Sequence, residues 1–488
     1  MPTLQKVDIV VVGAGFCGIG MAIQLKRHGY QDFVVLERAE GVGGVWRENT
    51  YPGCACDIES HLYSFSFAPN AHWTSLFPGQ EEIWKYLRDC VDRFQIGSHI
   101  RFGHELIEAR WEKNSNRWRI ETPHGIFHAR ILITATGALN LPSVPDLPGL
   151  SRFQGKRFHS AEWDHTVDLI GKRVAVIGTG ASAIQFVPEV QKRAAKTVLF
   201  QRTPAWVLPR NDHPLTNRQK KWFRRFPILQ KIERLRLYLY HEAFGVAFRK
   251  SKYMEKAKSV ALRHMKQAVK DPGLRAKLTP NYMMGCKRIL ISDDYYPALA
   301  QSNVEVVTER ISEIRERSVV TSDGTEREVD VLIFGTGFRV SDFVFAKCVY
   351  GSRGHSLLDG WNGSATAYRG TMSAGFPNWF CLLGPNTGLG HNSILLMVEP
   401  QMKLILKALR YMRRKQVAFL DVKPEAEKRY VEFVDERSRQ TVWLSGCKSW
   451  YLDKTGRNST LWPMSVGQFR RKTVSFRPSD FQRVRSER

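Results

Sequence analysis

The chain has no unbroken apolar run approaching the roughly 18 residues that cross a bilayer, so its sequence predicts no membrane-spanning helix. Its first residues, MPTLQKVDIVVVGAG, lack a charged leader followed by an apolar stretch and a small-residue cleavage site. The expectation is a cytoplasmic protein. Cysteine is sparse: eight residues lie scattered between Cys17 and Cys447, with no C-x-x-C pair and no zinc-site or disulfide-framework spacing. Reduced thiols and no metal are therefore expected, and Cys54-x-Cys56 reads either as two packed small residues or as a redox pair. Acid is also scarce. The 47 Asp and Glu against 73 Lys and Arg leave a net charge of +26, a field that attracts phosphorylated cofactors, anionic membrane surfaces and polyanions.

What is present is an ordinary globular composition, 43% apolar and 25% charged over 488 residues, which excludes disorder as the default and leaves room for two or three domains. VDIVVVGAGFCG is an apolar, β-branched run ending in Gly13-x-Gly15-x-x-Gly18, followed by the helical periodicity of IGMAIQLKRHG. The first glycine permits a tight turn, the second lets backbone approach a pyrophosphate, and the third lets helix and strand pack closely. A second strand, DFVVLE, places Glu37 where a carboxylate accepts ribose hydroxyls.

The pattern returns in KRVAVIGTGASAIQFVPEV as Gly178-x-Gly180-x-x-Ala183, and its following strand ends in Gln201 and Arg202. A permanent cation where an NAD site carries an acid suits a 2′-phosphate and predicts NADPH, with a solvated surface arginine as the other reading. Two further strands, ARILITATG and EVDVLIFGTG, end in small-residue turns at Gly137 and Gly337 and read as crossings between two nucleotide domains. Two adjacent pockets imply a bound redox cofactor in one and its reductant in the other, since a nicotinamide must touch the acceptor ring to pass a hydride. FAD first and NADPH second is the natural order. The predicted fold is α/β: two Rossmann-like dinucleotide-binding domains with a helical insertion in the second. Residues 1–145 form the first part of the FAD domain, 146–340 the NADP domain with its insertion at about 212–280, and 341–488 the second part of the FAD domain with a C-terminal loop.

FQGKRFHSAEWDH fits F-x-G-x-x-x-H-x-x-x-W-[P/D] as Phe153, Gly155, His159, Trp163 and Asp164. GGVWRENTYPGCACD fits G-G-x-W-x-x-x-x-[F/Y]-P-G-x-x-x-D from Gly43 to Asp57. With the two glycine motifs, these resemble the class B flavoprotein monooxygenases, specifically type I Baeyer–Villiger monooxygenases, in order and over nearly the whole chain. The resemblance implies an NADPH- and O2-dependent enzyme that converts ketones to esters or lactones through a C4a-peroxyflavin. An N- or S-oxygenating flavin monooxygenase is the near alternative, and a flavin-dependent NADPH oxidase or redox sensor the distant one.

The same resemblance implies roles at matching positions. Arg288, in MMGCKRILISDDYY, would stabilise the oxygen anion, with Asp57 contacting the nicotinamide and orienting it. Gly44, Val45, Trp46 and Tyr63 would lie near the flavin, and Thr179, Gly180, Ala181, Ser182, Ala183, Ile184 and Gln185 along the NADP pyrophosphate. Arg202, Thr203 and Lys287 would hold the 2′-phosphate. His159 and the rest of its motif would couple cofactor binding to domain rotation. Trp450, in SWYLD, would fold over the nicotinamide as part of a mobile loop, or else pack as a core aromatic. GFPNWFCLLGPNTGLGHNS reads as a glycine-rich loop that approaches the isoalloxazine. Arg47 and Glu48 depart from the aromatics that often follow the motif tryptophan, so the resemblance leaves the substrate pocket's shape open.

Between Arg218 and Lys277 stand eighteen Lys or Arg against four Asp or Glu, a local charge of 18 − 4 = +14. KKWFRRFPILQKIERLRLYLYHEAF interleaves these cations with large apolar residues, which suits either a soluble helical cap packed on the NADP domain over the substrate site or a peripheral helix on an anionic membrane. No nucleic-acid-binding motif accompanies the charge, so no nucleic acid partner is expected.

Overall fold

A computed structural model describes residues 4–249, 251–340, 342–447 and 449–485. The apolar run at the start forms the strand Leu4–Val12, and the helix Phe16–Arg27 leaves its end through the glycine turn. Gly18 is fixed by contact: a Cβ there would fall 1.7 Å from the carbonyl oxygen of Gly13, so helix and strand come this close only without a side chain.

The strand Leu4–Val12 lies between Phe33–Leu36 and Gly125–Thr134, parallel to both. Gly125–Thr134 is shared along its length. Its first half pairs with the antiparallel ribbon Arg117–Thr122, and its last three residues take the strand Trp379–Cys381 from far along the chain. Val349–Tyr350 likewise pairs with Glu108–Glu112 of that ribbon. The chain thus leaves the first sheet after residue 134 and rejoins it near 349. The helix Leu395–Lys415 buries one face beside Phe16–Arg27 in the core beneath that sheet.

Between the two crossings stands a five-stranded, wholly parallel sheet in the order Val304–Val307, Lys196–Phe200, Arg173–Ile177, Val331–Phe334, Lys156–His159. Its central strands are continuous buried Val, Leu, Ile and Phe, as a sheet covered on both faces requires. The helix Ala183–Gln191 follows the second glycine turn and packs on one face.

The insertion is helical: Asn217–Arg225, opened by a Thr216–Gln219 capping box, then Pro227–Gly245, Ser251–Ala268 and Pro272–Leu278. It straddles both units instead of resting on the NADP domain alone. Met265, Val269 and Leu278 enter the core of the second, wholly parallel sheet, whereas Leu237 enters the core of the first. The reason is polar: Arg234 Nη1 donates to the carbonyls of His61 (2.9 Å), Leu62 (3.2 Å) and Ser64 (2.9 Å), which pins Pro227–Gly245 to the first domain.

Cys286 and Cys447, 161 residues apart in the chain, are brought side by side with Cα atoms 6.3 Å apart, within the span a disulfide can bridge, while the other six cysteines stand apart. Sequence spacing holds no trace of this pair, because the fold alone brings the two loops together. Among the described residues no helix is long and apolar enough to cross a membrane.

Candidate functional site

Both glycine turns open onto one cavity of about 1360 Å3. At the first, Gly13 sits at φ +103°, and a Cβ would lie 2.8 Å from the carbonyl oxygen of Ala135 in the crossing strand. Gly15 faces Gly44 across the cavity floor, with an added Cβ 3.7 Å from the Gly44 Cα. Glu37 is buried at the end of its strand, where its oxygens accept from the backbone N–H of Ala14 (2.6 Å) and Ala39 (2.9 Å). Trp46, in the short helix Val45–Glu48, donates its indole N–H to the Tyr63 hydroxyl at 3.1 Å. The loop of Leu383, Gly384, Thr387, Gly388 and Asn392 closes the far wall.

At the second turn Gly178, at φ +106°, packs against Gly335 as Gly13 does against Ala135. Thr179, Gly180, Ala181 and Ser182 border the cavity, and Thr179 donates to the Thr203 carbonyl at 3.0 Å. Ala183 and Ile184 do not reach the cavity, because the helix begins here and turns them into the sheet core. Gln185 lines the cavity and also bridges the two domains. It accepts from the Tyr51 hydroxyl (3.0 Å) and donates to the Ala55 carbonyl (3.0 Å), stitching one nucleotide domain to the other.

Arg202 is exposed at the rim, and Lys287 approaches it from the loop before Arg288. Burial, then the nearby Arg202 charge, pushes the Lys287 ammonium below its ordinary pKa. Its Nζ stands 4.9 Å from the Tyr282 ring centroid. The two cations repel each other, so an anion bound between them would relieve that repulsion.

Deeper in, Arg288 donates to Asp57 through Nε at 3.2 Å and through Nη2 as well. Asp57's charge, acting against burial, raises the guanidinium further above its ordinary range. Burial alone would raise the carboxyl, but Arg288 reverses this and holds it below the usual aspartate value. The pair is therefore ionised at every physiological pH. The remaining edges, 30% and 29% of the two side chains, open into the cavity.

Trp450 also lines this space, 41% exposed and edge-on to Tyr451 at 4.4 Å. Its loop lies against the Arg288 loop where Cys447 meets Cys286. Three residues escaped sequence reasoning. Tyr451 is fully buried beside Arg288 and Asp57, Arg210 donates to the Cys56 carbonyl at 3.3 Å, and Tyr282 walls the cation pair. Nothing in spacing marks them, since each arrives from a separate loop.

The His159 motif lies outside the cavity. His159 ends the strand Lys156–His159 and caps the next turn, its Nδ1 accepting from Ala161 N–H at 3.1 Å. Its ring meets Phe338 edge-on at 5.8 Å, directly after the Gly337 crossing. Gly155 packs where a Cβ would meet the Asp330 carbonyl at 2.4 Å, Phe153 is buried, and Trp163 packs on Phe186 at 5.4 Å. Asp164 caps its own turn, accepting from Thr166. This motif thus packs on the strands beside the Gly337 crossing and lines none of the cavity.

A single chamber shared by two dinucleotide cradles, with a fixed cation inside it, defines a two-nucleotide flavoprotein oxidoreductase. The chain belongs to the flavin-binding monooxygenase-like family, whose model matches residues 6–353. It is 48% identical over 487 residues to a Baeyer–Villiger monooxygenase of Streptomyces coelicolor, covering 99% of this chain and 93% of that one. A Baeyer–Villiger monooxygenase of Pseudomonas aeruginosa is 46% identical, covering 97% and 90%. Among solved structures, cyclohexanone monooxygenase from Rhodococcus sp. Phi1 bound to NADP+ superposes with a TM-score of 0.89 at 29% identity, covering 99% of this chain and all of that one.

Proposed function

We propose that this protein is an FAD-containing, NADPH-dependent Baeyer–Villiger monooxygenase that inserts one atom of O2 beside a ketone carbonyl to give an ester or lactone. The observation that carries this reading is the Arg288–Asp57 pair inside the chamber between the two cradles. The cradles suit the cofactors: glycines stand where any Cβ would block backbone approach, Glu37 ends the first ribose-side strand, and Arg202 with Lys287 offers charge to a 2′-phosphate.

FAD and NADPH, when bound, supply the oxygen activation and the hydride. The chain's own work is electrostatic and spatial. Arg288 presents a charge that cannot be titrated away to the negative charge that builds on oxygen during attack on the carbonyl. Asp57 positions that guanidinium while leaving its other edge free. Trp450 and the 383–392 loop narrow the chamber and limit water, which favours product over hydrogen peroxide.

The test is a product assay on the FAD-loaded protein with NADPH, isotopic O2 and a panel of cyclic and linear ketones. One labelled ester oxygen per NADPH consumed is the expected result. Oxygenation of thioethers or amines with no ester from any ketone would move the assignment to a heteroatom oxygenase. NADPH use matched only by hydrogen peroxide would make the protein an oxidase.

A further inference from the structure

The helix Pro227–Gly245 is anchored along one face only. Arg234, Leu237 and His241 face the protein, the last with Nε2 2.7 Å from Glu59 Oε2. On the opposite face stand Ile228, Ile232, Leu235 and Leu239, spaced by four, three and four residues. At 100° per residue they fall within a sector of about 60°, and each is 55–58% exposed. An outward helix face ordinarily carries the charge. Here an apolar ridge takes that place, and cations flank it: Lys231 on one side and Arg236, paired with Glu233, on the other.

Just before this helix, Trp222 and Phe226 lie 5.4 Å apart and nearly half exposed, amid Lys220, Lys221, Arg224 and Arg225. On the flank of Tyr238 the surface meets the helix Val466–Val474. Lys403, Lys407, Arg470 and Arg471 there line a shallow basic cleft of about 550 Å3. None of residues 212–280 lines the nucleotide chamber, so the ridge does not serve the site from within.

We infer that this face docks on an anionic phospholipid membrane. An amphipathic helix lying in the interface needs large apolar side chains toward the acyl boundary and cations at phosphate level beside them, and both are present in that order. Charge complementarity selects the occupant. A second copy meeting the same face two-fold would bring these cations against each other, and a polynucleotide would leave the apolar ridge in water. The inference is independent of the substrate assignment.

Flotation of the FAD-loaded full-length protein with vesicles tests it, comparing mixed phosphatidylcholine and phosphatidylglycerol with phosphatidylcholine alone. Binding to the mixed vesicles at low salt, falling at least about tenfold on pure phosphatidylcholine and at high salt, is expected. Ile232→Glu with Leu235→Glu should cut binding about tenfold or more, and Lys220→Gln, Lys221→Gln, Arg224→Gln and Arg225→Gln together should do the same. Unchanged melting temperature and unchanged NADPH oxidation keep either variant set interpretable, because none of these residues enters a core or the chamber. Failure of the wild-type protein to float, or flotation indifferent to both sets, overturns the inference. So does a self-association in sedimentation that Ile232→Glu abolishes, or retention on DNA without vesicle binding.

Discussion

At the scale of single residues, the site rests on one guanidinium whose charge is fixed by one carboxylate. Arg288→Ala should lower ester formation by at least about a hundredfold, the range seen when a donor to developing oxygen charge is removed. NADPH oxidation should persist and end as hydrogen peroxide, since the cradles are untouched. Asp57→Asn should leave the arginine in place but less firmly oriented, giving a smaller loss in kcat; a loss equal to that of Arg288→Ala would mean that Asp57 contacts the reacting atoms itself. The cation pair at the rim argues a separate test. Arg202→Ala should raise KM for NADPH by roughly tenfold or more, a charged hydrogen bond's worth, and barely change KM for NADH, which has no 2′-phosphate. Equal effects on both would take Arg202 away from that phosphate.

At the scale of elements, the parts written in local pattern were legible and the parts made by long-range closure were not. The strand, glycine turn and helix from Leu4 to Arg27 announce themselves, because an apolar β-branched run and a helical period meet at three glycines. The crossings at Gly137 and Gly337 could be read for the same reason. Trp379–Cys381 as the neighbour of Gly125–Thr134 could not, since three buried residues carry no pairing signal. Nor could the contact of the Arg288 loop with the loop of Trp450, where Cys286 meets Cys447. That closure makes its own prediction. Digestion without reductant should yield a cross-linked peptide pair spanning Cys286 and Cys447, and reductant should separate it. Cys447→Ser should free the Trp450 loop, seen as faster proteolytic cleavage between about 445 and 460; an unaltered cleavage rate would leave the loop held by its packing alone.

At the scale of the whole molecule, stability between about pH 4 and 7 is pulled in opposite directions by groups the fold has buried. Burial pushes the His61 imidazole down to about 4. The unfolded chain, with an ordinary histidine near pH 6.5, then binds the extra proton, and stability is lost as pH falls from about 6.5 toward 4. His159 moves in the same direction for the same cause. Asp421 acts oppositely. It lies on the strand Val417–Val422, accepts from the Gly375 N–H at 2.9 Å, and burial, followed by the nearby Glu427 charge, lifts its carboxyl to about 7. Here the native state holds the proton that the unfolded state has released, so stability is greatest below the ordinary aspartate range and declines as pH rises through about 4 to 7. Asp421→Asn keeps an acceptor for Gly375 and removes the titration. Relative to wild type, the variant should gain about 1.4 kcal/mol per pH unit across that window, read as a melting temperature that overtakes wild type between pH 5 and pH 7.5 in buffers of matched ionic strength. Matching matters because a chain of net charge +26 at pH 7 also repels itself, and salt screens that repulsion. A difference between variant and wild type that stays constant with pH would mean that Asp421 is already ionised in the native protein, its charge carried by the Gly375 amide.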